Sequence, residues 1–415
     1  MMNVRMLVDV VVVASVSSAL SLAPGVLARR SGQVRAAGRR VLSPTAALAL
    51  VTGLVYVNQV LFTVYVLRVH DGDPSFVARY LPAGWFDLAS DSPALRHLAG
   101  LFPAPGLLAP TVLRVQALLE LPFVLLAFAT VVRWLDAGLY RRIARSALLP
   151  LASVSYTAVF CLVEWDLRNP YTVDDLVLRA VSAVLAPVLV ALCAARDRRT
   201  TRTPASVPGL LTFIGSLGAL GVLVLVVYDT ALLYNLGRLP ERLPLALAAA
   251  GALLGLRRAA SRLQGERARQ GLTLTFLRYF LCYWLCLFFV PALAVRYGVL
   301  FGTPQLAACA GLATAATACA LAARDVLDEA RKTADGRDGR SAGRRSPGFL
   351  LVRGLTCAVL TGTGAAWLAA RLTPRSYYEV TLLSATAAFL VTTVAACGLA
   401  DVWSAHRCGH RVRTT

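Results

Sequence analysis

A single carboxylate lies deep inside an apolar stretch, and its position points most directly to chemistry. Glu120 occurs in the run LRVQALLELPFVLLAF. A carboxylate far from water is costly, so such residues usually face other helices and find a partner there. On a helix, Gln116 lies one turn earlier on the same face, while Arg114 lies roughly 120° around the helix but has a long side chain. We therefore predict a catalytic or proton-carrying role for Glu120, with Arg114 and Gln116 as substrate-binding neighbours. The alternative is a buried structural carboxyl, either paired or protonated.

A second group of acids lies where two apolar stretches meet, in the run CLVEWDLRNPYTVDD. Carboxylates gathered in this way can hold a divalent cation, which can in turn hold a phosphate. We predict that the metal ligands are Glu164, Asp174 and Asp175. Asp166 is predicted to be catalytic, and Arg168 and Arg179 to bind the substrate. The alternative is a solvated polar turn, with acids at the start of the helix that follows.

Three further polar residues lie in apolar stretches. Asp229, in VVYDTALLYNLG, is predicted to join the acid group from another helix as a catalytic residue. Asn58 and Gln59 are adjacent in LVYVNQVLFTVY and are candidate substrate-binding residues. Amides at such positions also serve to bond neighbouring helices, and that alternative stays open.

The elements that must position these residues are predicted to be membrane-spanning helices. The chain has 415 residues, of which 57% are apolar and only 15% charged. A helix crosses the bilayer core with roughly 20 apolar residues. The sequence predicts about 11 such spans in an all-α, polytopic helical bundle. They lie near 6–27, 42–67, 107–132, 146–164, 174–195, 209–229, 243–256, 272–295, 305–323, 349–370 and 379–401. We expect the first run to be retained as a span, and the seventh to be short.

The orientation of the spans is predicted from the arginines. Every second connection is rich in basic residues, and together these connections and the C-terminal tail hold about two thirds of the 42 basic residues. Positive charge marks the cytoplasmic side. The pattern predicts an N-terminus outside, a C-terminus in the cytoplasm and a bacterial cell membrane as the location.

Two long connections complete the predicted organisation. The outer loop 68–106 has apolar residues at helical intervals, which predicts two short amphipathic helices, either packed over the bundle or covering a site. The connection 324–348 mixes charges with Gly and Ser and is predicted to be a flexible cytoplasmic linker. It would divide a main bundle of nine spans, 1–323, from a two-helix hairpin and basic tail, 349–415.

Several functional classes are excluded or disfavoured. The net charge of +20 is spread over short loops and is expected to attract anionic lipid headgroups, so no nucleic-acid partner is predicted. Walker A, GxGxxG and HExxH motifs are missing from the sequence. The predicted partners are membrane lipids, a hydrophobic or amphipathic substrate and further membrane proteins.

Three hypotheses of function remain at this point. The favoured one is a membrane-embedded enzyme acting on a lipid-like, lipid-linked or hydrophobic peptide substrate in the outer half of the bilayer, for instance in a natural-product pathway. The second is a proton-coupled transporter or exporter of a small or amphipathic molecule. The third is a non-catalytic assembly or immunity protein. The outer loop and the lack of internal repeats favour the enzyme.

Overall fold

A computed structural model describes most of the chain, and every regular element in the described part is helical. The described residues are 43–75, 86–101, 108–167, 172–195, 197, 201–263, 271–288, 290–291, 294, 302–335, 346–373 and 378–410. No strand occurs among them. The prediction of an all-α protein is therefore confirmed for the part of the chain that the structure describes.

The described part of the chain contains twelve α-helices, numbered in chain order. They are α1 Pro44–Val69, α2 Pro93–Leu101, α3 Leu108–Leu135, α4 Ala137–Ala144, α5 Leu148–Leu167, α6 Thr172–Ala195, α7 Val207–Val227, α8 Leu239–Leu263, α9 Leu272–Leu287, α10 Pro304–Asp335, α11 Pro347–Leu372 and α12 Tyr378–His410. A π-helical turn, Tyr228–Leu232, continues α7, and a 3-10 turn, Leu236–Arg238, precedes α8.

Eight helices in the described part are long and apolar enough to cross a membrane, which is consistent with a multi-pass membrane protein. Three of the predicted spans are not among these eight helices, which explains the difference from the predicted number of about eleven. The first, 6–27, lies outside the described residues. The fourth, 146–164, corresponds to α5, which forms a pair with α4 bent by 67°. The eighth is helical over Leu272–Leu287, and this helix is too short to count alone.

The seventh predicted span is longer than the sequence suggested. Its helix, α8, has 25 residues rather than the short run 243–256. Pro240 lies in its first turn, where a missing N–H is tolerated, whereas Pro244 lies inside the helix. Beyond the apolar run the helix continues through Arg257, Arg258 and Arg262, because arginine is a good helix former.

The connection 68–106 contains one of its two predicted amphipathic helices among the described residues. Residues 93–101 form α2, whose Ala99 is buried. The other predicted helix, around residues 76–81, lies outside the described residues. After it the chain from Phe86 to Leu88 packs on Phe62 and Tyr234.

The helices are grouped in two compact units. Unit 1 comprises residues 1–201, 217–254 and 289–307, and it contains the candidate site. Within it α3 packs between α1 and α6, while α5 packs on α6. Ser182 in α6 donates to the Leu118 carbonyl of α3 at 2.7 Å, and Ser153 in α5 donates to the Ala183 carbonyl of α6 at 2.6 Å.

Unit 2 comprises residues 202–216, 255–288 and 308–415, in which α9, α11 and α12 pack together. Asp401 of α12 accepts from the backbone N–H groups of Thr273 (3.0 Å) and Leu274 (3.2 Å), at the N-terminus of α9. Such contacts satisfy donors that a helix start leaves unpaired. The sequence-based division at 324–348 stays a prediction.

Candidate functional site

Glu120 is the centre of a buried polar cluster in unit 1. Glu120 lies on α3, and the residue as a whole is 4% exposed. Oε1 accepts the hydroxyl of Tyr156 at 2.7 Å and that of Tyr228 at 2.6 Å. Oε2 accepts from Nη1 of Arg179. Donors from α5, α6 and the π turn therefore converge on one carboxylate of α3.

Arg179 joins Glu120 to a second carboxylate. Its Nη2 donates to Glu164 Oε1 at 2.8 Å, so one guanidinium bridges two acids. Both acids carry a low exposed fraction, 5% for the Glu120 side chain and 18% for Glu164. A planar guanidinium suits this arrangement because its nitrogens form a rigid fork.

Helical spacing explains why these side chains meet. Glu164 lies two turns after Tyr156 on α5, and Phe160 lies between them on the same face. Arg179 lies one turn after Asp175 on α6. Tyr156 and Glu164 of α5 and Arg179 of α6 therefore reach the same cluster.

Aromatic rings pack against the charged groups of the site. Phe160 stacks on Tyr156 with ring centroids 4.6 Å apart, and its ring is 6.3 Å from that of Tyr228. The Arg179 guanidinium lies 5.3 Å from the Phe160 centroid, within the range of a cation–π contact. The site therefore combines carboxylates with aromatic faces.

The π turn at the end of α7 places Tyr228 in this cluster. Its defining bond runs from the Leu233 N–H to the Tyr228 carbonyl at 2.8 Å. Thr230 lies within the turn, and its hydroxyl is 2.9 Å from the Tyr56 hydroxyl of α1. π-helical turns inside α-helices are frequent at functional sites.

Asn58 and Gln116, which were predicted to bind substrate, take part in a contact next to the Glu120 cluster. Asn58 of α1 donates to Gln116 of α3 at 3.4 Å, and Gln116 Nε2 donates to the Leu232 carbonyl in the π turn. Gln116 therefore bonds other helices rather than Glu120. Gln59 is fully buried, and neither of its amide atoms has a hydrogen-bond partner among the described residues.

Asp229 and the first-turn acids of α6 differ in their surroundings. Asp229 accepts from Arg242 Nε at 2.7 Å and lies 3.5 Å from Arg238. Asp175 is buried, whereas Asp174 is half-exposed. Arg168 and the side chains of Arg114 and Asp166 lie outside what the structure describes.

The structure gives the predicted divalent cation no support in the described part of the chain. No group of three or more His, Cys, Asp or Glu side chains there is placed to hold a metal ion. Glu164, one of the three predicted ligands, binds Arg179 instead. We therefore base no chemistry on a metal at Glu164, Asp174 and Asp175.

Three aromatic residues of the site were not predicted from the sequence: Tyr156, Phe160 and Tyr228. Aromatic residues in apolar runs are usually core residues, so they were not singled out. The phenolic O–H groups offered a signal, since a buried tyrosine usually needs a hydrogen-bond partner.

Two oxygens of one carboxylate receive every donor of this cluster. An ionised carboxylate only accepts hydrogen bonds, and three donors point at the two oxygens of Glu120. A proton on Oε2 would compete with Arg179 for that oxygen. Arg179 would keep its second partner, Glu164, so the cation would not be left unpaired.

Comparisons with known proteins identify no relative of this chain. No protein-family model matches it, no curated protein sequence matches it, and no solved structure matches it.

Proposed function

We propose that this chain is a proton-coupled membrane transporter of a small or amphipathic molecule, with Glu120 as its proton-exchanging residue. The observation that carries the proposal is the convergence on Glu120 of Tyr156, Tyr228 and Arg179 from three other segments. Intramembrane carboxylates that pair across helices are typical of proton relays and substrate pathways in transporters.

Coupling follows from the contacts of Arg179. In the ionised state Glu120 ties α3 to α6 through Arg179. Protonation removes the charge that holds this tie, and the guanidinium then pairs with Glu164 alone. Proton binding thereby changes which helices are joined, and this is the kind of two-state element that alternating access requires.

The enzyme hypothesis is weaker because of what surrounds the candidate base. A general base must lie within hydrogen-bond reach of the proton it abstracts from the substrate. Both oxygens of Glu120 already accept from side chains that link helices. Asp229, the other predicted catalytic acid described here, is paired with Arg242.

We further propose a bacterial cell membrane as the location, about eleven spans, an N-terminus outside and a C-terminus in the cytoplasm. The alternation of arginine-rich connections supports this orientation. Glu120, Glu164 and Asp229 then belong to the outer half of the bundle.

A proton-flux assay tests the proposal. Inverted vesicles from a bacterial host are acidified by respiration, and an acridine dye reports the proton gradient. A panel of amphipathic amines, carboxylates and neutral peptides is added in turn. We expect at least one compound to dissipate the gradient with the wild-type chain and not with Glu120→Gln at equal abundance.

Glu241→Gln is the matched control, because Glu241 is an exposed acid at the start of α8. It should behave as the wild type. The proposal is contradicted if Glu120→Gln dissipates the proton gradient as the wild type does. It is also contradicted if an abundant wild-type chain responds to none of the compounds.

A further inference from the structure

The segment that joins α7 to α8 is irregular and strained. It begins with the π turn Tyr228–Leu232 and ends with the 3-10 turn Leu236–Arg238. Between the two turns Tyr234 has a φ of 58°, in the left-handed region that non-glycine residues rarely adopt. Backbone strain of this kind persists only where neighbouring groups hold it, and it is concentrated at functional sites and switch regions. The groups that hold this segment therefore decide where its side chains lie.

The π turn at the start of the segment reaches the Glu120 cluster. Tyr228 donates to Glu120 Oε1 at 2.6 Å, and the Leu232 carbonyl accepts from Gln116. Glu120 and Gln116 both lie on α3. A displacement of the π turn would therefore take one donor away from Glu120.

The residues after the π turn are bound by the segment Phe86–Leu88, which we call the strap. The Asp87 N–H donates to Asn235 Oδ1 at 2.9 Å, and the Asp87 carbonyl accepts from the Gly237 N–H at 2.8 Å. Asn235 is 3% exposed, so water does not easily replace its partner. Both backbone polar groups of one strap residue thus bind the segment that carries the π turn.

Apolar contacts hold the strap on both sides of Asp87. The Phe86 ring lies 5.6 Å from that of Tyr234, in an edge-on arrangement, and Tyr234 packs on Phe62 of α1 at 4.3 Å. Leu88 is buried in the same cluster as Phe62. The strained residue Tyr234 is therefore enclosed between the strap and α1.

The strap itself lies at the surface of unit 1. Asp87 is exposed, and residues 86–89 belong to no helix. A segment with few buried contacts opens at a lower free energy than a packed helix, and the elements that move in function are drawn from such segments. The strap is thus the part of this contact that can be released without unfolding a helix.

We propose that the strap gates proton exchange at Glu120. While it is bound to Asn235 and Gly237, it holds the π turn in place and keeps Tyr228 on Glu120. When it is released, the strained segment relaxes and Tyr228 leaves, so that Oε1 loses one of its two donors and can take up a proton. Asn235 is a positioning residue, since it acts on Glu120 through Tyr228. The inference rests on the proposed function and adds its regulation.

A disulfide tests whether the strap must be released. A Cβ at position 237 would collide with the Asp87 carboxylate, so cysteines at these two positions bring their thiols together. Asp87→Cys/Gly237→Cys is treated with a membrane-permeant oxidant in the inverted vesicles, and cross-linking is measured by mass spectrometry. We expect oxidation to slow the dissipation driven by the compound of the panel that the wild type responds to, by at least about tenfold. Reduction should restore the rate.

Asp87→Cys alone is the matched control for the disulfide, because the oxidant then finds only the native cysteines. Its dissipation rate should not change on oxidation.

Asn235→Ala tests the opposite change, a strap that is bound too weakly. The substitution removes the oxygen that accepts from Asp87. We expect a proton leak, which is dissipation of the gradient with no compound added, and faster hydrogen exchange in the backbone of residues 228–232. Adding Glu120→Gln should abolish the leak. Ser75→Ala is the control, since it removes an exposed hydrogen bond to Asp73 within the same connection and should cause no leak.

Three results would overturn the inference. The first is dissipation at the wild-type rate by the cross-linked protein, and the second is a folded double-cysteine variant whose thiols do not cross-link. The third is a folded Asn235→Ala protein that does not leak, or whose leak persists after Glu120→Gln, because the protons then do not pass through Glu120. If Asn235→Ala does not accumulate, the disulfide alone decides. The proposed function fails on a different result, namely compound-driven dissipation that is unchanged in Glu120→Gln with the strap intact.

Discussion

Tyr228 donates a hydrogen bond of 2.6 Å to Glu120, a residue 108 positions earlier in the chain. The π turn that begins at Tyr228 ends at Leu232, whose carbonyl accepts from Gln116 on the same face of α3 as Glu120. One irregular turn therefore contacts two polar residues of α3.

Tyr228→Phe tests this relationship. Removing the hydroxyl should lower the free energy of unfolding by about 1 kcal/mol, because a buried hydrogen bond to Glu120 is lost. Unfolding is measured by titration with a denaturing detergent. In a Glu120→Gln background the same substitution should cost less, and equal costs in both backgrounds would contradict a direct interaction. Tyr65→Phe, outside the site, serves as control.

Arg179 should be the most sensitive residue of the cluster. Arg179→Met leaves Glu120 and Glu164 without their shared cation, and breaking a buried ion pair costs about 3–5 kcal/mol. We expect low abundance in the membrane, measured by immunoblotting. Adding Glu120→Gln should restore part of that abundance. Arg179→Lys should fail as well, because one ammonium does not reproduce the fork between two carboxylates. Wild-type abundance of Arg179→Met would refute the ion-pair description.

A second buried ion pair in unit 1 lies outside the Glu120 cluster. A substitution there allows an effect on protein stability to be distinguished from an effect on proton coupling. Arg133 donates to Asp197 through Nε and Nη2, both at 3.0 Å. Arg133→Met should lower stability to a similar extent as Arg179→Met. The Arg133→Met protein that remains in the membrane is assayed in the inverted vesicles. Its proton flux should depend on pH in the same way as that of the wild type. A shifted pH profile would mean that the Glu120 cluster is not the sole titrating element.

The connection between α1 and α3 depends on a glycine near α8. Gly237 donates its N–H to the Asp87 carbonyl at 2.8 Å, and a Cβ at position 237 would collide with the Asp87 side chain. Gly237→Ala should therefore loosen the segment from Phe86 to Leu88, increasing its cleavage by added protease. Gly251→Ala is the matched control, since space around Gly251 in α8 is open and alanine favours helix. Equal cleavage in both variants would argue against the contact.

The topology is tested by reporter fusions. We expect cytoplasmic signals from fusions at positions 35, 140, 200, 264 and 335, and external signals at 85, 170, 238 and 375. The decisive position is 264, which follows α8. An external signal there would mean that α8 does not cross the membrane, despite its 25 residues.

The helices themselves could be predicted from the sequence for a local reason. An apolar run of about 20 residues must satisfy its own backbone in lipid, so it forms a helix whatever its neighbours are. The predicted spans at 42–67, 174–195 and 349–370 therefore agree closely with α1, α6 and α11. The same local logic singled out Glu120, because a carboxylate inside such a run is conspicuous without any knowledge of packing.

The partners of Glu120 were decided only by the tertiary structure. Periodicity gives the face of a helix on which a residue lies, but not which helix packs against that face. Gln116 and Arg179 were both predicted to bind a substrate, and that stays a prediction. The structure shows Gln116 in contact with Asn58 and the π turn, and Arg179 between Glu120 and Glu164. Neither outcome follows from spacing, because the lateral order of helices depends on many weak side-chain contacts between distant parts of the chain.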